Sequence, residues 1–202
     1  MRLPESAKPQ TLERRQLQGF LPLWGRGIDV GVGRADWPDP EARQWWRRVR
    51  GMDRCDVLEW DVEEGDAQEL ASVPDASLDW LFSSHCLEHL ASPSRALVNW
   101  VRVVKPGGYL LLSVPHRLLY ERRPCPPSRW NGDHKWFFLP YNHDGHERTI
   151  GFHRWLTAAE GALGYRLVNL ATGDWGHTNV AKGDSEHPDG EYCIDALLRR
   201  HG

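Results

Sequence analysis

The sequence predicts an α/β fold of three layers with one irregular cap, on three observations. "SLDWLFSS" (77–84), "SPSRALVNWVRVVKPGG" (92–108) and "YLLLSVP" (109–115) read in order as strand, helix and strand. That unit implies a parallel sheet with a right-handed crossover. The same alternation recurs on both sides of it. With 202 residues, 40% apolar and 26% charged, the chain has the size and balance to bury a core as one domain, 1–202.

Taken in order, residues 1–20 read as a polar N-terminal arm with a short helix over "LERRQLQ". "LWGRGIDV" (23–30) ends in an apolar strand, and "DPEARQWWRRV" (39–49) has Pro at an early helical position followed by good helix formers. "GMDRC" (51–55) and "DVLEW" (56–60) read as short strands. The run 77–84 is apolar without alternation, as expected of a strand covered on both faces. Ser92 is the N-cap of the next helix and Pro93 its first residue; Leu97, Val101 and Val104 form its stripe, and Pro106-Gly107-Gly108 stops it. Residues 116–152 lose the regular pattern and are rich in Pro, Asn, Asp, His and Trp. A structureless stretch of that length is usually functional, and here it reads as a lid over a substrate. A helix (153–164), a strand (165–172), a polar loop to about residue 189 and a strand (192–200) close the chain.

Composition narrows the partners. The formal charge is -3 with scattered basic residues, which gives no footprint for a nucleic acid. No run of about 18 apolar residues spans a membrane. The N-terminus is too polar for a secretory signal, and four well-separated cysteines without C-x-x-C suit reduced thiols. A cytoplasmic protein, as monomer or homodimer, is expected. Eleven tryptophans, several in polar surroundings, exceed what a core alone needs.

The stretch "GIDVGVGRADWP" (27–38) places a glycine turn after a strand. A dinucleotide turn would have a third Gly where Asp36 stands, and no G-K-S/T follows for a P-loop, so phosphate fits poorly. Two readings stay open: backbone N–H groups that receive a small carboxylate, or a plain tight turn. Asp53 in "GMDR" stands where a ribose-binding acid belongs, and Asp66 in "EGDAQEL" could accept from adenine N6. An adenosine carrying an amino acid and no phosphates is S-adenosylmethionine, whose positive sulfonium tolerates surrounding acids.

The ordered segments "IDVGVGR", "GMDR", "GDAQEL", "PDASLDWLFSSHCLEHL" and "RVVKPGGYLLLSVP" resemble a class I S-adenosylmethionine-dependent methyltransferase of the small-molecule type, over roughly residues 23–115. The resemblance implies a Rossmann-like sandwich with a seven-stranded, mostly parallel sheet of order 3-2-1-4-5-7-6. Its last strand would be antiparallel, and the lid would follow strand 5. S-adenosyl-L-methionine is then the cofactor and S-adenosyl-L-homocysteine the product. It further implies that Asp29, Gly31 and Gly33 line the methionine end and that Asp53 holds the ribose. Asp66 and Ala67 would meet the adenine, with Ser83, Ser84 and His85 beneath the sulfonium. Val32, where the family often has Cys, Ala or Ser, and a helix-sized insert before Asp53 are departures.

His85 and His134 are the candidate catalytic residues, since a histidine titrates near working pH. In "LEHL", Glu88 and His89 either contribute or merely support the cofactor loop. "PSRWNGDHKWFF" (127–138) supplies Arg129, His134 and Lys135 for a polar or anionic group and Trp130 and Trp136 as flat walls. With His85 and His116 these are the expected substrate contacts. The segment resembles that of a bacterial subgroup acting on sugars or secondary metabolites. "HDGH" (143–146) matches no common zinc spacing, so no metal is expected. The favoured activity is methyl transfer to an oxygen or nitrogen of a small polar molecule, a sugar or specialised metabolite. A non-methylating S-adenosylmethionine enzyme acting on the aminobutyrate arm, or a cofactor-binding regulator without turnover, would share the same cofactor residues.

Overall fold

The computed structural model describes residues 3, 5–21, 23–122, 127–142, 145–177 and 190–202. Six strands form the main sheet: β1 (Arg26–Val30), β2 (Asp56–Trp60), β3 (Leu78–Ser84), β4 (Val104–Pro115), β7 (Tyr165–Gly173) and β8 (Cys193–Arg200). Their order is β2-β1-β3-β4-β8-β7, with β8 antiparallel to both neighbours and the other pairings parallel. The expected reversal of the final strand is therefore present, but among the described residues the sheet has six strands and not seven. The stretch 31–77 forms one short strand and two single helical turns, without the second strand and the full-length crossover helices that a seventh strand would bring. The edge lost is the one beyond β2.

Two buried clusters sandwich the sheet, and period-two alternation along the strands feeds both. Leu81, Leu110 and Leu112 join Leu97, Trp100, Val101, Phe152 and Leu156, beneath α3 (Pro93–Val103) and α5 (Phe152–Leu163). Trp80, Phe82 and Leu111 face the other way, toward Leu12, Phe20, Trp45, Trp46 and Met52. Among the described residues, that second face is covered by α1 (Pro9–Leu17) and by 3-10 turns at Glu5–Ala7 and Trp45–Arg48, next to the single helical turn α2 (Pro40–Arg43). The indoles of Trp45, Trp46 and Trp80 fill volume that longer helices would occupy, which accounts for three of the eleven tryptophans.

Local departures have local causes. The helix expected over 39–49 breaks at Gln44, whose ψ is 66°. Trp45 and Trp46 are both buried, and successive residues on one α-helix point about 100° apart. Residues 51–54 form turns, not a strand, with Met52 and Cys55 amides bonded three residues back. α3 opens as expected, with the Ser92 hydroxyl accepting from the Arg95 amide at 3.3 Å. It ends at Val103, just ahead of the expected stop at Pro106, because Lys105 precedes Pro106 and is steered away from helical ψ. Val104, expected on the helix stripe, instead begins β4.

Residues 1–20 are more than a polar arm: α1 carries Arg14 and Arg15, both buried, against β8. Arg14 meets Glu191 and Asp195 at 2.7 Å each, and Arg15 meets Asp195 at 3.0 Å. Burial alone would raise the Asp195 pKa, but the two guanidiniums hold it down at about 2. Within 116–152 the structure adds a four-residue α4 (Arg117–Tyr120) and a parallel strand pair, β5 (Phe137–Leu139) with β6 (Thr149–Gly151). His143 and Asp144 of "HDGH" lie outside the described residues. No helix among the described residues is long and apolar enough to cross a membrane.

Candidate active site

In-register pairing brings Val30, Trp60, Ser83 and Ser113 toward one edge of the sheet, and a cleft opens beyond these carboxyl ends, where ligands of open α/β sheets sit. Two cavities share that cleft. The larger, 580 Å³, is lined by Asp36, Asp61, Asp66, Ala67 and Leu90 among others. The smaller, 240 Å³, reaches Asp29, Ser84, Glu88, Tyr120, Asn131, His134 and Tyr192. Gly31, Gly33, Asp36, His85 and His89 belong to both and mark where the two meet.

The glycine turn is held from within. The Trp60 carbonyl accepts from the Gly31 amide at 2.8 Å and from the Val32 amide at 3.4 Å. The Asp61 carboxylate accepts from the Arg34 amide at 2.7 Å. Those three N–H groups are already engaged, so the turn's contribution is close approach. Gly31 has φ +81°, and a Cβ there would lie 2.6 Å from the Cys86 Cβ. Cys86 is a packed small residue whose thiol burial pushes up to about 12.

Asp29, near the end of β1, is 4% exposed, and its carboxylate accepts from the Trp45 indole at 2.9 Å. Burial raises its pKa to about 8, and the nearby acids Glu59 and Asp61 add to the rise. His85 follows β3 at φ +53°, a left-handed backbone that costs of order 1 kcal/mol in a residue with a side chain. Burial, aided by the neighbouring Arg15 and the adjacent histidines, drives its pKa down to about 3, so the imidazole is neutral. His89 is lowered to about 4, again chiefly by burial. Ser84 faces the smaller cavity, whereas Ser83 is buried beneath it.

Asp53 corrects the expected ribose contact. It lies exposed in the turn before β2, at the amino end of the strand and so at the opposite edge of the sheet from the cleft. The acid that follows the carboxyl end of β2 is Asp61, which lines the larger cavity. Reading "GMDRC" as the strand shifted the acid by a full strand length. Asp66 and Ala67 do line that cavity, and their loop is pinned from behind by the Trp100 indole donating to the Ala67 carbonyl at 2.8 Å.

Of the expected substrate contacts, His85 and His134 line the cleft, but His116, Arg129, Trp130, Lys135 and Trp136 do not line either cavity. Each is occupied in fastening the segment. His116 caps α4, its Nδ1 accepting from Leu118 and Leu119 amides. The Arg129 amide donates to Glu121, and the Trp130 indole to the Tyr120 carbonyl. The Lys135 ammonium donates to the His89 carbonyl, and the Trp136 indole to the Leu90 carbonyl at 3.0 Å. Tyr120, Asn131 and Tyr192 were not anticipated, and they carry no spacing pattern that would have marked them. His134 has its Nε2 3.8 Å from Glu88 and its Nδ1 3.7 Å from Glu121, and its ring stacks on Tyr120.

Residues 28–112 match a family model described as a methyltransferase domain. The chain is 30% identical over 115 residues to a ubiquinone biosynthesis O-methyltransferase of Maricaulis maris (strain MCS10), an overlap of 50% of this chain and 45% of that protein. It thus spans under half the length of that relative. Its fold resembles a chain in the complex between the Haloferax volcanii Trm112 methyltransferase activator and a methyltransferase, with TM-score 0.55 and 15% identity, covering 95% of this chain and 90% of that one. A SAM-dependent methyltransferase from Thermotoga maritima gives TM-score 0.51 at 19% identity, covering 95% and 88%. At these identities the structural likeness is one of fold.

Proposed function

Because this chain belongs to the class I S-adenosylmethionine-dependent methyltransferases, we propose that it moves the methyl group of S-adenosylmethionine to an oxygen or nitrogen of a small polar molecule, such as a sugar or specialised metabolite, in the paired cavities. The observation that carries this reading is the lining of the larger cavity: three aspartates and, among the described residues, no lysine or arginine. Such a lining suits an adenosine without phosphates and repels a dinucleotide or ATP. The buried Asp29 carboxylate next to it suits a cationic amino group. Gly31, where a Cβ would strike Cys86, keeps the floor between them low.

When bound, the cofactor supplies an electrophilic methyl on a cationic sulfonium. Asp29 would hold the methionine end, and Asp61 and Asp66 the nucleoside. His85, at the junction, and Ser84, in the smaller cavity, would align the methyl toward that cavity. His85 is neutral, so one ring nitrogen can accept a hydrogen bond while its low pKa makes it a poor base. His134, with carboxylates near both ring nitrogens, is the residue placed to take a proton from an acceptor hydroxyl or amine. Alignment in a dry pocket supplies the rest, since charge disperses as the sulfonium reacts.

Calorimetric titration with S-adenosylmethionine and S-adenosylhomocysteine, beside NAD and ATP, tests the reading. Selective binding of the two sulfur nucleosides is expected, and binding of neither would overturn it. In the same assay Asp61→Ala is expected to weaken affinity about tenfold, the worth of a hydrogen bond to a charged group. Asp53→Ala should leave it unchanged.

A further inference from the structure

Glu88, His89 and His134 come together on one wall of the smaller cavity, two from the turn after β3 and one from the segment that follows α4. One ligand atom from each lies within 4.8 Å of the others. The Glu88 carboxylate is 3.8 Å from Nε2 of both histidines, and the two rings meet edge to face at 4.7 Å. Three ligands around a tetrahedral cation with bonds of about 2.0–2.2 Å would sit roughly 3.3–3.5 Å apart. The cluster is therefore a slightly expanded version of that triangle, and small side-chain rotations would close it.

Its surroundings are those of a ligand set. The far nitrogen of His134, Nδ1, is 3.7 Å from Glu121. Glu121 is itself held by the Ser128 hydroxyl and by the Arg129 amide at 2.6 Å. A carboxylate behind the second nitrogen fixes the tautomer that presents Nε2 to a metal. Glu88 is 1% exposed and its backbone carbonyl accepts from the Lys135 and Trp136 amides, at 2.8 and 3.1 Å, which ties the two ligand-bearing segments together.

We propose that Glu88, His89 and His134 form a divalent transition-metal site that leaves coordination positions open toward the acceptor half of the cleft. Two imidazoles and one carboxylate suit zinc, iron(II), cobalt or manganese better than magnesium or calcium, which take oxygen ligands. An acceptor with a hydroxyl, or two vicinal hydroxyls, would bind the open positions. The metal would lower the hydroxyl pKa so that its proton leaves to water. The oxygen lone pair then forms the new C–O bond as the C–S bond breaks and sulfur keeps that electron pair. With the cation bound, His134 is a ligand and no longer the base. The inference rests on the proposed methyl transfer for its substrate class, though the metal site itself does not.

Cobalt(II) titration of the metal-free full chain, followed by visible d–d absorption with zinc as competitor, tests it. One cobalt per chain is expected, with affinity reduced about 100-fold in Glu88→Gln and His134→Ala and about tenfold in Glu121→Gln. His89→Ala, at a partly exposed position, is the variant least able to disturb folding and should also lose the site. A wild-type chain that takes no cobalt at micromolar concentration overturns the proposal, as does equal binding by wild type and His89→Ala. Cofactor calorimetry on the same metal-free protein keeps the two readings apart. Cobalt binding without cofactor binding would sink the methyl-transfer reading alone, and the reverse would sink the metal site alone.

Discussion

Replacing Asp195 with alanine is expected to destabilise the protein by about 3–5 kcal/mol, because it leaves buried guanidinium charge without its partner. Asp195 is fully buried and accepts from both Arg14 and Arg15, while Arg15 also donates to Ser113 on β4 at 3.0 Å. Among the described residues, only Arg14 of the two has a second carboxylate, Glu191. The loss should appear as a lower urea midpoint with unchanged slope. The same carboxylate makes folding acid-sensitive. Its pKa is about 2 in the folded chain and about 3.9 unfolded, so its contribution is complete above pH 4 to 5 and is lost as pH falls toward 2, roughly 2–3 kcal/mol in all. A variant as stable as wild type at pH 7 would mean that the pair only fixes the position of α1.

Asp29→Asn is expected to weaken S-adenosylmethionine binding about 10- to 100-fold with little change in fold. The amide oxygen can still accept from the Trp45 indole that reaches Asp29 at 2.9 Å, so the substitution removes charge and little else. The wild-type carboxyl titrates at about 8 because burial disfavours its ion. Below that pH a cationic amino group must displace a proton to bind. Affinity should therefore rise with pH, by up to tenfold per unit, and level off above about 8. Titration near pH 7 in buffers of different ionisation heat should show up to one proton released by wild type and none by the variant. Equal affinity and equal proton release would remove Asp29 from the cofactor site.

Much of the fold was legible because it rests on neighbours in sequence. The Ser92 cap, the helix stop ahead of Pro106 and the largely apolar run of β3 are each set by a few adjacent residues, whereas the antiparallel closing strand was implied by the family resemblance. Within the glycine turn, the need for Gly at position 31 was readable. Its reason, contact with Cys86, was not. The short strand before the cleft was misread because "GMDRC" and "DVLEW" are equally plausible as isolated segments. Only pairing of Arg26 with Asp56 through Val30 with Trp60 settles the register.

By itself the sequence determined a parallel α/β sheet with a crossover helix, a glycine turn at the head of its cleft, and a set of segments in the order of one enzyme family. Tertiary structure alone decided that the sheet has six strands among the described residues, that Asp61 and not Asp53 stands at the cleft, and that Trp130 and Trp136 of the 127–138 segment fasten the chain instead of lining the cleft. It alone joined Arg14 and Arg15 to Asp195, and Glu88 and His89 to His134. Periodicity and caps act over a turn or two of chain, whereas a buried charge or a ligand cluster is made by side chains far apart in sequence that meet only once strand register and helix packing have fixed where each element ends.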